Sequence, residues 1–392
     1  MISIILKKGK EQSVKRMHPW IFSGAIKKIK GEPIEGEVVQ LFDCEGEFLA
    51  VGHYQIGSIA VRILSFSLVE INKNFYLDRL KHAYVIRKNA ELDNVGFNNT
   101  YRLIHGEGDF LPGLIIDIYA DTAVIQCHSV GMYRDLALIE EAIKELYGEK
   151  ITAIYNKSAT TLPFKADVDA SDKYLFGKSQ TEFALENGNK FKVNWEEGQK
   201  TGFFIDQREN RKLLEGYSKG KDVLNMFGYT GGFSVYALRG GAKSVCSVDV
   251  SQKAVDLTDI NVKENFGSDA PHTSFAVDAF EFLRNIDQKY DLIVLDPPAF
   301  AKHLNKLDNA LQAYKRLNQR ALEQIRPGGI IFTFSCSQVV SKENFKRSVF
   351  VAAANAKRNV RILHQLNQPA DHPVNIFHPE GDYLKGLVLY VE

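Results

Sequence analysis

From about residue 220 onward the chain repeats one pattern, a short apolar run, a loop and a helical stretch, and no other feature restricts its fold as tightly. The runs are 222–227, 244–249, 273–277, 291–296 and 329–334. Each is short and rich in branched or aromatic residues, as strands buried on both faces of a parallel sheet are. Helical stretches begin at Phe233, Gln252 and Ala279, and another covers about 307–325. This alternation predicts an α/β fold with a doubly wound parallel sheet, in which ligands sit outside the carboxyl ends of the strands. Two late runs, 360–363 and 387–391, are expected to close one edge.

The first run leads directly into Gly228-Tyr229-Thr230-Gly231-Gly232. Its glycines let the backbone approach a ligand closely and turn into a helix, although the spacing is not G-x-G-x-x-G. About twenty residues later Asp249 ends the second run, the position from which a carboxylate accepts both hydroxyls of a ribose. These two features identify an adenosine-bearing cofactor without choosing between NAD and S-adenosylmethionine. Asp278, at the end of the third run, either accepts from the adenine amino group, with Ala279 and Phe280 flanking the ring, or caps the next helix, a place Asp favours. Upstream, the donor-rich stretch 198–208 ends in Asp206-Gln207-Arg208. Arg208 suits a methionine carboxylate as a bidentate partner, the cap of the first helix, or a phosphate.

The fourth run ends in Asp296-Pro297-Pro298-Ala299-Phe300 and the fifth in Phe334-Ser335-Cys336-Ser337. The two are separated by the length of one helix and one strand. If their strands are neighbours, at the roughly 4.8 Å spacing of a sheet, Asp296 and Cys336 face one substrate from the same edge. The two prolines make the Asp296 loop rigid, and Phe300 is placed to stack on a flipped base, or the whole is a Pro-Pro turn with a capping Asp. A thiolate beside a carboxylate suits methylation at C5 of a cytosine, a carbon too weakly nucleophilic to react until a nucleophile adds at C6. Cysteine is also a common core residue. Cys44, Cys127 and Cys246 have no comparable setting and read as core or incidental. With four scattered cysteines, no Cys-x-x-Cys pair and no Cys/His ligand spacing, no metal site is expected.

At 392 residues, 45% hydrophobic and 25% charged, the chain is long enough for two or three ordinary globular domains. The net charge of +1 excludes a generally basic coat, yet residues 1–30 carry eight lysines and arginines against the single Glu11. That stretch is an electrostatic footprint suited to phosphate, or a solvated strand face. From Ile2 to about Ser67, short runs broken by Gly and Pro read as a small β-barrel. A helix is expected over 72 to about 95, then a strand-rich block with strands at 102–105, 113–119, 122–127 and 151–155 and a helix over 133–146, ending near Trp195. The absence of an 18-residue apolar run and of a signal-peptide core gives the expectation of a cytoplasmic protein with reduced thiols.

Taken in order, seven segments resemble the ribosomal RNA large subunit methyltransferase I family. They are His18-Pro19-Trp20-Ile21-Phe22-Ser23-Gly24, the stretch from Gln199 to Arg208, Phe227 to Phe233, Ser247 to Ser251, Asp296-Pro297-Pro298, Phe334 to Ser337, and Gly381-Asp382-Tyr383-Leu384-Lys385-Gly386. The resemblance spans the whole chain. It implies a PUA-like RNA-binding β-barrel (1–70), a central α+β domain (71–195) and a class I, Rossmann-like methyltransferase domain (196–392). It implies S-adenosyl-L-methionine as cofactor, held by Gln207, Arg208, Asn225, Phe227, Tyr229, Thr230, Gly231, Asp249, Asp278 and Asp296. It further implies 23S ribosomal RNA as partner, Cys336 as nucleophile with Asp296 beside it, and Pro297, Pro298 and Phe300 at the substrate base. Ala299 stands where the family commonly has Lys. No second cysteine follows Pro297, as it does in other cytosine-5 RNA methyltransferases. Methylation of an exocyclic base nitrogen, or an inactive cofactor fold serving ribosome assembly, are the competing readings. The oligomeric state stays open, a homodimer included.

Overall fold

The computed structural model describes residues 2–94, 96–163, 168–287 and 289–392. They fall into two compact units, Met1–Gly188 with Val193–Ile205 and Ala370–Gly381, and Asn189–Lys192 with Asp206–Pro369 and Asp382–Glu392.

Two larger sheets lie in the first unit. A six-stranded sheet runs in the order Trp20–Phe22, Ile59–Ser65, Phe48–Tyr54, Val38–Phe42, Ser3–Leu6, Ile26–Lys30. In Ser3–Leu6 and Val38–Phe42 alternate residues are buried, so Ile4, Leu6, Val39 and Leu41 fill the interior with Ile21 and Val61. A five-stranded sheet follows, Lys173–Gly177, Ala153–Asn156, Thr122–Cys127, Leu114–Tyr119, Thr100–His105. The helices Lys73–Asn89 and Leu136–Tyr147 pack on it through Leu77, Leu80, Ile139 and Ile143.

Asn72 opens the first of these helices by accepting from Phe75 N, and the helix stops at Asn89, short of the expected exit; Val95 lies outside the described residues. The single helix expected over 133–146 is two, Val130–Arg134 and Leu136–Tyr147. Asp135 sits at the break, where its carboxylate accepts from Tyr76 Oη at 2.5 Å and meets His53 Nε2 at 3.0 Å. Periodicity alone does not reveal a break made by such distant partners. Trp20 is fixed in a similar way. Its Nε1 donates to Glu107 at 2.8 Å, the Arg62 guanidinium lies over its ring, and His378 meets the ring edge at 4.3 Å. Trp20 is thus held by packing within its own unit.

The second unit is a seven-stranded sheet in the order His272–Ala276, Ser244–Asp249, Asp222–Met226, Leu292–Leu295, Gly329–Ser335, Lys385–Val391, Val360–Leu366. The first five strands are mutually parallel, as the alternation predicts. The late strands differ from the expectation. Val360–Leu366 forms the edge, but Lys385–Val391 lies inside the sheet, antiparallel to both neighbours. The sheet is therefore mixed, and in this interior strand Leu387, Val388 and Leu389 are buried in succession, on both faces. The direction of chain crossover reverses between Asp222–Met226 and Leu292–Leu295, which makes that junction the switch point where a crevice opens. The helix Lys342–Ala356, capped by Ser341 and absent from the sequence reading, packs beside Leu307–Gln324.

Candidate active site

Met226 and Leu295 are directly paired, so the loops beginning at Phe227 and Asp296 leave the sheet side by side at the switch point. One strand out on one side Asp249 ends its strand, and one strand out on the other Ser335 leads to Cys336. The parallel register thus brings Phe227, Asp249, Asp296 and Cys336 to one edge.

The glycine loop is shaped by backbone that ordinary residues avoid. Phe227, Tyr229 and Gly231 all have positive φ, at 59°, 43° and 75°. Left-handed backbone at two non-glycine residues costs energy that surrounding contacts must offset, and it clusters at ligand sites. One of those contacts runs to Asp249. Its Oδ2 accepts from Tyr229 N and its Oδ1 from Ser251 N, each at 3.0 Å. At Gly231 a Cβ would come within 2.6 Å of Thr258 Cγ2, so only glycine lets the loop turn there into the helix Gly232–Arg239. Thr230 is buried, and its carbonyl accepts from Asn261 Nδ2 at 2.9 Å.

Beneath the loop runs a buried polar chain that sequence reading did not find. Asn225 Nδ2 donates to Ser234 Oγ at 2.9 Å, Ser234 and Ser247 share a hydrogen bond of 2.7 Å, and Ser247 meets His272 Nε2 at 2.8 Å. The chain fixes Asn225 with its Nδ2 downward. Its Oδ1 is buried with no hydrogen-bond partner among the described residues, an acceptor that a bound donor would satisfy. An oriented carboxylate, an orphaned amide oxygen and a glycine turn fit an adenosine-bearing cofactor such as S-adenosylmethionine.

The remaining expected residues are distributed less simply. Gln207 Nε2 donates to Asp296 Oδ1 at 3.0 Å, which ties the segment before the sheet to the active edge. Arg208 is fully buried at the start of the helix Arg208–Tyr217, a position that does not serve contact with a phosphate at the surface. Asp278 is exposed and caps the short helix Ala279–Phe282, its Oδ1 accepting from Glu281 N at 3.0 Å. Pro297 is buried and Pro298 exposed. Phe300 packs its ring 4.7 Å from that of Tyr314, so part of it belongs to the core.

Cys336 is half-buried, its Sγ 3.9 Å from Pro297 O. The thiol and the Asp-Pro-Pro loop are therefore in contact. Cys127 and Cys246 are buried, and burial pushes both thiols up, Cys127 to about 12, which suits inert core residues. Tyr314, from the helix Leu307–Gln324, faces this corner, and burial pushes its hydroxyl up to about 12. Lys385 is also here, buried at the start of its strand and opposite Ser335. A lysine opening an apolar strand was the signal that could have singled it out. Among the described residues no cluster has the makings of a metal site, and no helix is long and apolar enough to cross a membrane.

Comparison with known proteins agrees with the fold. The family model described as S-adenosylmethionine-dependent methyltransferase matches residues 102–378, and that of a PUA-like domain matches residues 4–66. Fold and site thus define an S-adenosylmethionine-dependent methyltransferase with an N-terminal PUA-like domain. The ribosomal RNA large subunit methyltransferase I of Aeromonas hydrophila is 41% identical over 396 residues, covering 99% of this chain and 98% of its own. That of Pseudoalteromonas translucida is 41% identical over 397 residues, with 99% of each chain covered. The chain belongs to the ribosomal RNA large subunit methyltransferase I family. Among solved structures, one described as "a putative SAM-dependent methyltransferase from Streptococcus mutans" is 25% identical with a TM-score of 0.83, and one described as "a putative methyltransferase complexed with SAH" is 26% identical with a TM-score of 0.84; both cover 100% of each chain.

Proposed function

We propose that this chain methylates C5 of a cytosine in 23S ribosomal RNA, with Cys336 as covalent nucleophile and Asp296 as its partner at the base. The observation that carries the reading is the contact of the Cys336 thiol with the Asp-Pro-Pro loop at the ends of two adjacent parallel strands. An exocyclic nitrogen already has a lone pair for the methyl and needs no thiol; C5 does need one. The ribosomal partner is supported by the names of the relatives, by the PUA-like match and by the exposed Lys7, Lys8, Lys10, Lys15 and Arg16 of the basic stretch.

Asp249, Asn225, Phe227, Tyr229, Thr230 and Gly231 hold the cofactor, with Gln207, Arg208, Asp278 and Asp296 around it. S-adenosylmethionine, when bound, supplies an electrophilic methyl group. The Cys336 thiol gives its proton to solvent, and Sγ forms a bond to C6 while the electrons of the C5–C6 double bond move onto C5. Asp296, its carboxylate held by Gln207, engages the N3/N4 edge of the base and stabilises the charge entering the ring. Once C5 carries the methyl group, loss of the C5 proton re-forms the double bond and breaks the bond from Sγ to C6. Pro298 follows Pro297 where a second cysteine would stand, so Cys336 both attacks and departs.

Bisulfite sequencing of 23S ribosomal RNA from cells with and without the protein tests the reading. A cytosine protected only when the protein is present supports it, and identical maps would overturn it.

A further inference from the structure

We infer that Lys385 is a positioning residue for Cys336, its buried ammonium clasping the loop that carries the thiol and favouring the thiolate over the thiol. The inference rests on the proposed role of Cys336 for its meaning, though not for its measurement.

Lys385 lies opposite Ser335 in the antiparallel pair of strands, one residue from the thiol. Its Nζ donates to Ser337 O at 2.6 Å and to Val340 O at 2.8 Å, carbonyls one and four residues beyond Cys336. Two of its three N–H groups are thereby used on the Cys336 loop, and the third has no hydrogen-bond partner among the described residues. The residue is only 4% exposed. A buried ammonium is costly, and carbonyl dipoles alone do not neutralise it. Burial pulls its pKa down to about 8, and Cys336 is the first of the groups that pull it back up, ahead of Asp382.

The other charged groups facing this corner leave that pairing in place. Asp382, just before the lysine, is in an ion pair of 2.6 Å with Lys342 at the start of the helix Lys342–Ala356. Tyr314 stays protonated across the neutral range. Asp296, at the end of the neighbouring strand, adds a negative charge that opposes thiolate formation, so a cation on the far side is what the nucleophile needs.

The test is the rate of carbamidomethylation of Cys336 by iodoacetamide between pH 6 and 10, read by mass spectrometry of the Cys336 peptide from the full-length protein. Lys385→Met is expected to move the midpoint up by at least one pH unit, about a tenfold slower reaction at pH 7. Its kcat for methyl transfer should fall in step, recovering in part at pH 9, with the KM for S-adenosylmethionine unchanged. Lys385→Arg should keep the wild-type midpoint or lower it. A wild-type alkylation profile in the Met variant would overturn the inference, and so would an upward shift of a full unit in a folded Arg variant, which decides the matter even if the Met variant fails to fold. Methyl transfer surviving in Cys336→Ala would instead remove the nucleophile reading, while leaving the alkylation result standing.

Discussion

Gln207 donates from Nε2 to the Asp296 carboxylate across 3.0 Å, and the direction of that amide is set by Asn210, whose Nδ2 donates to Gln207 Oε1 across 2.6 Å. An amide that receives a donor at its oxygen must present its nitrogen to the other partner. The helix Arg208–Tyr217 thus reaches the active edge through two side chains, and Asp296 is held from outside its own loop.

Asn210→Leu removes the donor that orients Gln207. A hydrogen bond to a charged group contributes about 1.5–3 kcal/mol, so kcat for methyl transfer should fall roughly tenfold or more. Steady-state assays should find the KM for RNA little changed, because Asn210 is buried below the edge.

Asp249→Ala removes both the proposed acceptor for the ribose and the carboxylate that holds Tyr229 N and Ser251 N. Calorimetry should record S-adenosylmethionine binding weakened by about 3 kcal/mol, on the order of a hundredfold. Asp249→Asn retains the shape with one acceptor and should lose less.

Gly231→Ala puts a Cβ 2.6 Å from Thr258 Cγ2 on a backbone with φ of 75°. Overpacking of this kind costs about 1–3 kcal/mol, and the left-handed backbone adds to it. Thermal melting should show a drop of a few degrees, with a loss of cofactor affinity because the loop itself must shift. Gly231→Ala with Thr258→Ser should recover part of the stability, since the clash is with the Thr258 methyl.

In the first unit, burial on its own would raise Asp121, but hydroxyls of Thr152 and Ser179 and the amide of Gln180 donate to it and hold it below the ordinary carboxylate range. A depressed folded pKa means that its contribution to stability is fully present above the unfolded value and lost as pH falls through the folded one. Urea melts from pH 6 down to pH 3 should therefore show the wild type losing stability below about pH 4, more steeply than Asp121→Asn.

The alternation of runs made the parallel sheet legible, and with it the edge shared by Asp249, Asp296 and Cys336, because in such a sheet the strand ends of successive units are brought together by topology alone. The placement of Lys385 was not legible. It lies on a strand that enters the sheet antiparallel, after the residues Ala370–Gly381 that belong to the other unit, and no local period announces either fact. The same holds for the chain from Asn225 to His272, whose members come from three strands and a helix. Phe300 illustrates a different limit. Its place four residues after Asp296 suggests a base, but Tyr314, which takes part of its ring, comes from the next helix.

The central claim is that Cys336 bonds covalently to the base. RNA carrying 5-fluorocytosine at the target cannot release the C5 substituent as a proton, so the adduct should accumulate. The full-length protein incubated with this RNA and S-adenosylmethionine should form a denaturation-resistant complex, with peptide mass spectrometry placing the nucleotide on Cys336 and with no complex formed by Cys336→Ser. Absence of any adduct in the wild type, together with full methyl transfer by Cys336→Ala to unmodified RNA, would contradict the account.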